Sequence, residues 1–205
     1  MSSNLIRWGG LVGMFGGALW ALWYVGVPLF GERYESYETY NRLMPIVLLL
    51  LMAGMVGFHA AQRGAYGGRG RAGFVASFVG LALMVVGNAS EFWLFTMQAY
   101  AEANGRQASW GVFLLGMLLL AIGSVLFGIA TMRAGALPRL GGLLVVVWLP
   151  VGILSSILSA VTGVLPTDLA FSLGSAVTLG AGWMVLGYAV WSGRGRPTQR
   201  PVRVK

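Results

Sequence analysis

Six long apolar runs divide this sequence, and the short segments between them carry nearly all of its charge. The runs fall at roughly 8–30, 43–62, 72–97, 111–132, 140–164 and 169–191. A bilayer core takes about 20 apolar residues in a helix, so each run is long enough to cross one. The fold class expected is an all-α integral membrane protein, with six transmembrane helices in a compact bundle. Composition agrees. Charged residues are 10% of the 205, against about 25% in a soluble domain. Water therefore cannot be the solvent for most of the surface.

The charges give an orientation. Arg7, Arg63, Arg69, Arg71, Arg133 and Arg139 share one side with Arg194, Arg196, Arg200, Arg203 and Lys205, eleven of the fourteen basic residues. The other side has Arg33, Arg42 and Arg106, together with Glu32, Glu35, Glu38, Glu102 and Asp168, five of the six acids. The positive-inside rule then places both termini in the cytoplasm and the chain in the cell (inner) membrane. The net charge of +8 is thus a mark of topology, and no nucleic-acid partner is expected. The first run exceeds the 7–15 apolar residues of a signal peptide and no clear A-x-A site follows, so it is read as retained. Residues 1–191 form the membrane domain and 192–205 a basic, disordered cytoplasmic tail.

Glycine, at 32 residues, is about twice as frequent as usual. Between membrane helices, small residues let backbones approach. At 100° per residue, Gly9, Gly13, Gly16, Trp20 and Tyr24 share one stripe of the first span. Gly73, Ser77, Gly80, Gly87, Asn88 and Glu91 share one in the third. The fifth has Gly152, Ser156 and Ala160, and the sixth Gly174, Thr178 and Gly182. Similar openings at Leu5–Leu11 and Leu137–Leu143, with a looser version at Arg71-Ala72-Gly73, suggest three tandem helical hairpins. Pro45 is expected in a first turn, and Pro150, in mid-span, at a kink.

Chemistry is sparse. With no cysteine and one histidine, thiolate chemistry and His-based metal sites are not expected, and no cofactor is. Glu91 is the one carboxylate within a span, and intramembrane acids usually face the bundle interior or a cavity. Asn88 lies one turn deeper, and Trp20, Tyr24, Ser156 and Ser159 reach the same outer half from other spans. These six are the candidate ligand-binding residues. The outer aromatics Tyr34, Tyr37, Tyr40, Tyr100 and Trp110, with Glu38, would suit a cationic guest. Alternatively, the aromatics form an interfacial belt and Glu91 stays wetted. His59 lies near the inner end of the second span, too far from Glu91 to act with it.

Three functions follow as expectations. The first is binding of a small organic or lipid-like molecule in an outward-opening pocket, as part of a transporter. In length, span count and polarity distribution the chain resembles the S-components of energy-coupling-factor vitamin transporters, which implies substrate capture on the outer side. The second is an accessory or assembly subunit that meets partner membrane subunits through glycine faces. The third is an intramembrane enzyme. A rhomboid-like protease needs serine and histidine on facing helices at similar depth, and here His59 is at the opposite end from the serines. Membrane lipids are partners under every reading.

Overall fold

The computed structural model describes residues 3–30, 34–94 and 105–193, with side chains described for 4–26, 41–93 and 108–193. Among the described residues there are six long helices: α1 (Ser3–Phe30), α2 (Tyr34–Gln62), α3 (Gly68–Ala89), α4 (Gly105–Ala134), α5 (Arg139–Thr162) and α6 (Thr167–Trp191). A π-helical turn, Ser90–Leu94, extends α3. All six helices contain a stretch long and apolar enough to cross a membrane. This is a multi-pass, all-α membrane protein in contact with lipid.

The apolar stretches run Asn4–Gly26, Asn41–Gln62, Gly68–Trp93, Ala108–Ala134, Arg139–Thr162 and Thr167–Trp191. The helices themselves start ahead of the expected apolar runs, most of all α2, which begins at Tyr34 and takes in a polar first half-dozen residues. Pro45 is not in a first turn: α2 begins at Tyr34 and runs through the proline, which stands inside the helix. Helix α5 continues through Pro150. The basic residues from Arg194 onward lie outside the described residues.

Each helix packs against the next in sequence, and α6 returns to pack on α1, so the bundle is a closed ring. Neighbours run antiparallel. Gly9 meets Gly57 and Gly13 meets Gly54 across α1–α2, while Gly10 meets Gly187 and Gly17 meets Gly180 across α1–α6. Along α3–α4, Gly73, Gly80 and Gly87 face Phe127, Gly116 and Phe113 in turn. In each case an added Cβ would strike the backbone of the facing helix. Helix α1 therefore uses two small-residue faces, one for each neighbour.

The middle of the ring is filled, not hollow. Trp20, Leu48, Met55, Phe58, Met84, Phe127, Trp148 and Trp183 are all buried in one contiguous core. Phe58 of α2 and Trp183 of α6 meet across it, with ring centroids 5.2 Å apart. One buried polar link crosses from α2 to α4, where Gln62 Nε2 donates to Thr131 Oγ1 at 3.0 Å. The half of α5 beyond Pro150 leaves Leu154, Ile157, Leu158 and Val161 exposed, Val161 at 81%.

Two ends of the ring are distinguished below. The arginine end holds the α2–α3 and α4–α5 turns, and the far end holds the α5–α6 turn and the π turn.

Candidate functional site

Glu91 stands in the π turn at the far end of α3 and is 6% exposed. A π turn accommodates one extra residue per turn and is frequent at functional sites. It rests against α2 and α4. Arg42, from the start of the α2 span, donates through Nε to the Phe92 carbonyl at 3.2 Å, and Trp93 Nε1 donates back to the Arg42 carbonyl at 2.8 Å. This reciprocal pair ties α2 to the turn that presents Glu91. Asn88, 4% exposed, has its Oδ1 buried without a hydrogen-bond partner.

The other four candidates lie elsewhere. Trp20 is 2% exposed within the core, stacked obliquely on Tyr24 at 4.7 Å, and its Nε1 has no partner. Ser156 is half-buried on α5. Ser159 secures the α5–α6 turn: its Oγ donates to the Leu165 carbonyl at 2.5 Å and accepts from the Leu165 N–H at 3.2 Å. That turn begins at Gly163, whose φ of 66° is a left-handed conformation that glycine adopts freely. The outer-loop residues Tyr34, Tyr37, Tyr40, Tyr100 and Glu38 lie outside the residues whose side chains are described.

A groove of about 650 Å³ opens at the far end between α5 and α6. Leu158, Val164, Leu165, Leu173 and Val177 make its walls. Of the six candidates it includes Ser159 alone. Four hydroxyls border it, from Ser155, Ser159, Thr162 and Thr178, and their chemistry is decisive. Ser159 donates to Leu165, Thr162 to the Leu158 carbonyl at 2.9 Å, and Thr178 to the Gly174 carbonyl at 2.6 Å. Three of the four protons are thus already committed to backbone carbonyls. The groove offers apolar wall and a few acceptor lone pairs, and little with which to hold an anionic or strongly polar solute.

The arginine end has a different character. His59 Nδ1 is hydrogen-bonded to the Tyr66 hydroxyl, and the imidazole stacks on Phe74 at 4.2 Å. A cavity of about 490 Å³ is lined by His59, Arg63, Gly64, Arg71, Phe74 and Val75. Burial pushes the Tyr66 phenol well above its ordinary ionisation range. Neither Tyr66 nor Arg42 was marked by sequence: Tyr66 is a single aromatic in a glycine-rich turn, and Arg42 is one of three basic residues scattered on the acidic side. Among the described residues no three His, Asp or Glu side chains converge as a metal site requires.

Compared with protein-family models, with curated proteins and with solved structures, the chain finds no match in any of the three.

Proposed function

We propose that this chain holds a lipid-like molecule, an alkyl chain with a small head, in the groove between α5 and α6 on the outer side of the cell membrane. The carrying observation is the groove itself, about 650 Å³ of apolar wall whose hydroxyl protons are mostly spent on backbone carbonyls. Such a lining suits an acyl or isoprenoid chain better than a charged vitamin-like solute. The arginine distribution supports termini in the cytoplasm, which puts the α5–α6 turn outside. Binding rather than chemistry is the role proposed, as the receiving part of a lipid-handling or transport assembly. Glu91, on the π turn against α2 and α4, and Asn88, in the last turn of α3 before it, belong in this reading to a second polar locus and do not anchor the groove's guest.

The test is photo-crosslinking of the purified chain with a phospholipid bearing a diazirine near the acyl terminus. Adduct should concentrate on peptides spanning 155–178, and Leu173→Trp, which fills the groove, should remove it. Equal labelling of the exposed Leu114–Leu118 face of α4 would show ordinary lipid contact and sink the proposal.

A second reading rests on the same half of α5. Its exposed ridge, Leu154, Ile157, Leu158 and Val161, would suit a partner membrane helix, making the chain an accessory subunit. Mass measurement after gentle extraction separates the two, since this reading requires a co-purifying subunit lost on Leu158→Ser.

A further inference from the structure

At the arginine end, charge bookkeeping fails within the chain. Arg63 and Arg71 flank the α2–α3 turn, and Arg69, Arg133 and Arg139 lie on the same end. The acids are all remote from it: five belong to the opposite segments, and Glu91 is twenty residues beyond Arg71, roughly 30 Å along a helix. Among the described residues no aspartate or glutamate is therefore placed to neutralise Arg63 or Arg71. Two guanidiniums at a membrane surface attract the negative charge of anionic lipid.

The turn that carries them is firmly held. Tyr66 is 3% exposed, edge-on to Phe127 at 5.9 Å, and seated over Gly70, where a Cβ would fall 1.8 Å from its ring. Ala65 and Tyr66 both donate backbone N–H bonds to the Gln62 carbonyl, at 2.9 and 3.2 Å. The first turn of α3 has neither a side-chain cap nor an acid, leaving its positive end unbalanced. Between Arg63 and Arg71 lies the 490 Å³ cavity, with His59 as a third polar wall and Phe74 and Val75 as apolar ones. A site fixed before binding loses less entropy when it is occupied.

We propose that this cavity binds the phosphate of an anionic phospholipid, with Arg63 and Arg71 on the phosphate oxygens and Phe74 and Val75 along the first methylenes. Planar guanidiniums suit phosphate geometry. Tyr66 remains a neutral hydroxyl hydrogen-bonded to His59 Nδ1, and the imidazole is a third polar group in the wall. The half-exposed Val75 on the lipid-facing surface favours a lipid over a free phosphate, since soluble phosphate gains nothing from an apolar wall. This site is separate from the α5–α6 groove, at the other end of the molecule, and each stands without the other.

The experiment is native mass spectrometry of the full chain, titrated in detergent with phosphatidylglycerol or phosphatidylcholine. One phosphatidylglycerol should be retained in preference to phosphatidylcholine, whose ammonium offsets its phosphate. Arg63→Gln and Arg71→Gln should each weaken retention about fivefold, the worth of one basic residue near an anionic surface. The pair should weaken it about 25-fold if the two act independently. Arg139→Gln, at the same end but outside the cavity, should change it less than twofold. Equal losses from Arg139→Gln would reduce the effect to general surface charge and overturn the site. Competition by millimolar inorganic phosphate to the same extent as by lipid would assign the cavity to a soluble phosphate, and would overturn the lipid assignment.

Discussion

Gly54→Ala is the substitution that most directly measures how tightly α1 and α2 are joined. A Cβ at Gly54 would lie 2.3 Å from the Gly13 Cα and 2.9 Å from its N. That is about 1 Å short of the 3.4 Å at which ordinary contact begins, and the obstacle is backbone, which cannot rotate aside. The helices must separate locally by about that distance, and a gap of 0.5–1 Å already forfeits a quarter to a half of each dispersion contact. Overpacking costs about 1–3 kcal/mol, and an overlap with backbone belongs to the upper part of that range, about 2–3 kcal/mol. The better helix propensity of alanine returns up to about 1 kcal/mol, leaving a net loss of about 1–2 kcal/mol. For a chain of this size that lowers the melting temperature by about 2–8 °C. Gly111→Ala is the matched control: it has nothing within 4 Å, so only the propensity gain applies and the melt should rise by about 1–4 °C. Tryptophan fluorescence during heating in detergent reads both, with Trp183 reporting from 3.4 Å beyond the Gly54 Cβ position. A Gly54→Ala protein that melts at or above the wild-type temperature would refute the reasoning. So would a Gly111→Ala protein that loses as much.

Further predictions concern the polar interior, the arginine end and the orientation. Thr131→Val strands the buried Gln62 amide and should cost about 1–3 kcal/mol, whereas adding Gln62→Leu should recover part of that loss, a coupling that a double-mutant melting cycle measures. Tyr66→Phe removes the hydroxyl bonded to His59 and should cost about 1 kcal/mol in the same assay. Because burial raises the folded-state pKa of Tyr66 above its unfolded value, its contribution is complete below about pH 10 and is lost as pH rises beyond that. Wild type should therefore destabilise more steeply in strong alkali than Tyr66→Phe. The chain has no cysteine, so an introduced thiol is a sole reporter of side. In intact cells, an impermeant maleimide should label Val164→Cys and spare Gly64→Cys; the reverse pattern would invert the orientation.

The six helices were legible because a hydrocarbon solvent leaves a long, low-frequency signature: runs of apolar residues with charge confined to their ends. The facing glycines of α1 and α3 were also visible, since 100° per residue places Gly9, Gly13 and Gly16 on one line. What periodicity omits is which neighbour each face meets. Gly10 and Gly17 form a second face of α1, turned to α6, and nothing local to α1 identifies a partner some 170 residues later. The site was less legible for a related reason. Shared depth grouped Glu91, Trp20 and Ser159, yet depth is one coordinate, and position around the ring assigns Ser159 to the α5–α6 groove and Glu91 to the π turn on α2 and α4. The hydrogen bonds that commit the groove's hydroxyl protons depend on side-chain rotamers and turn geometry, which no residue spacing reveals.

The closure of the ring between α1 and α6 also has a consequence in time. Helix α1 leaves the ribosome before the other five, and its Gly10–Gly17 face meets its partner only when α6 has been inserted. Arg7 Nε then reaches the Trp191 carbonyl at 2.9 Å, joining residues 184 apart. A chain stalled before α6 would hold a small-residue seam open to lipid and to any passing helix. The α1–α6 seam therefore shuts only once the sixth helix is in place.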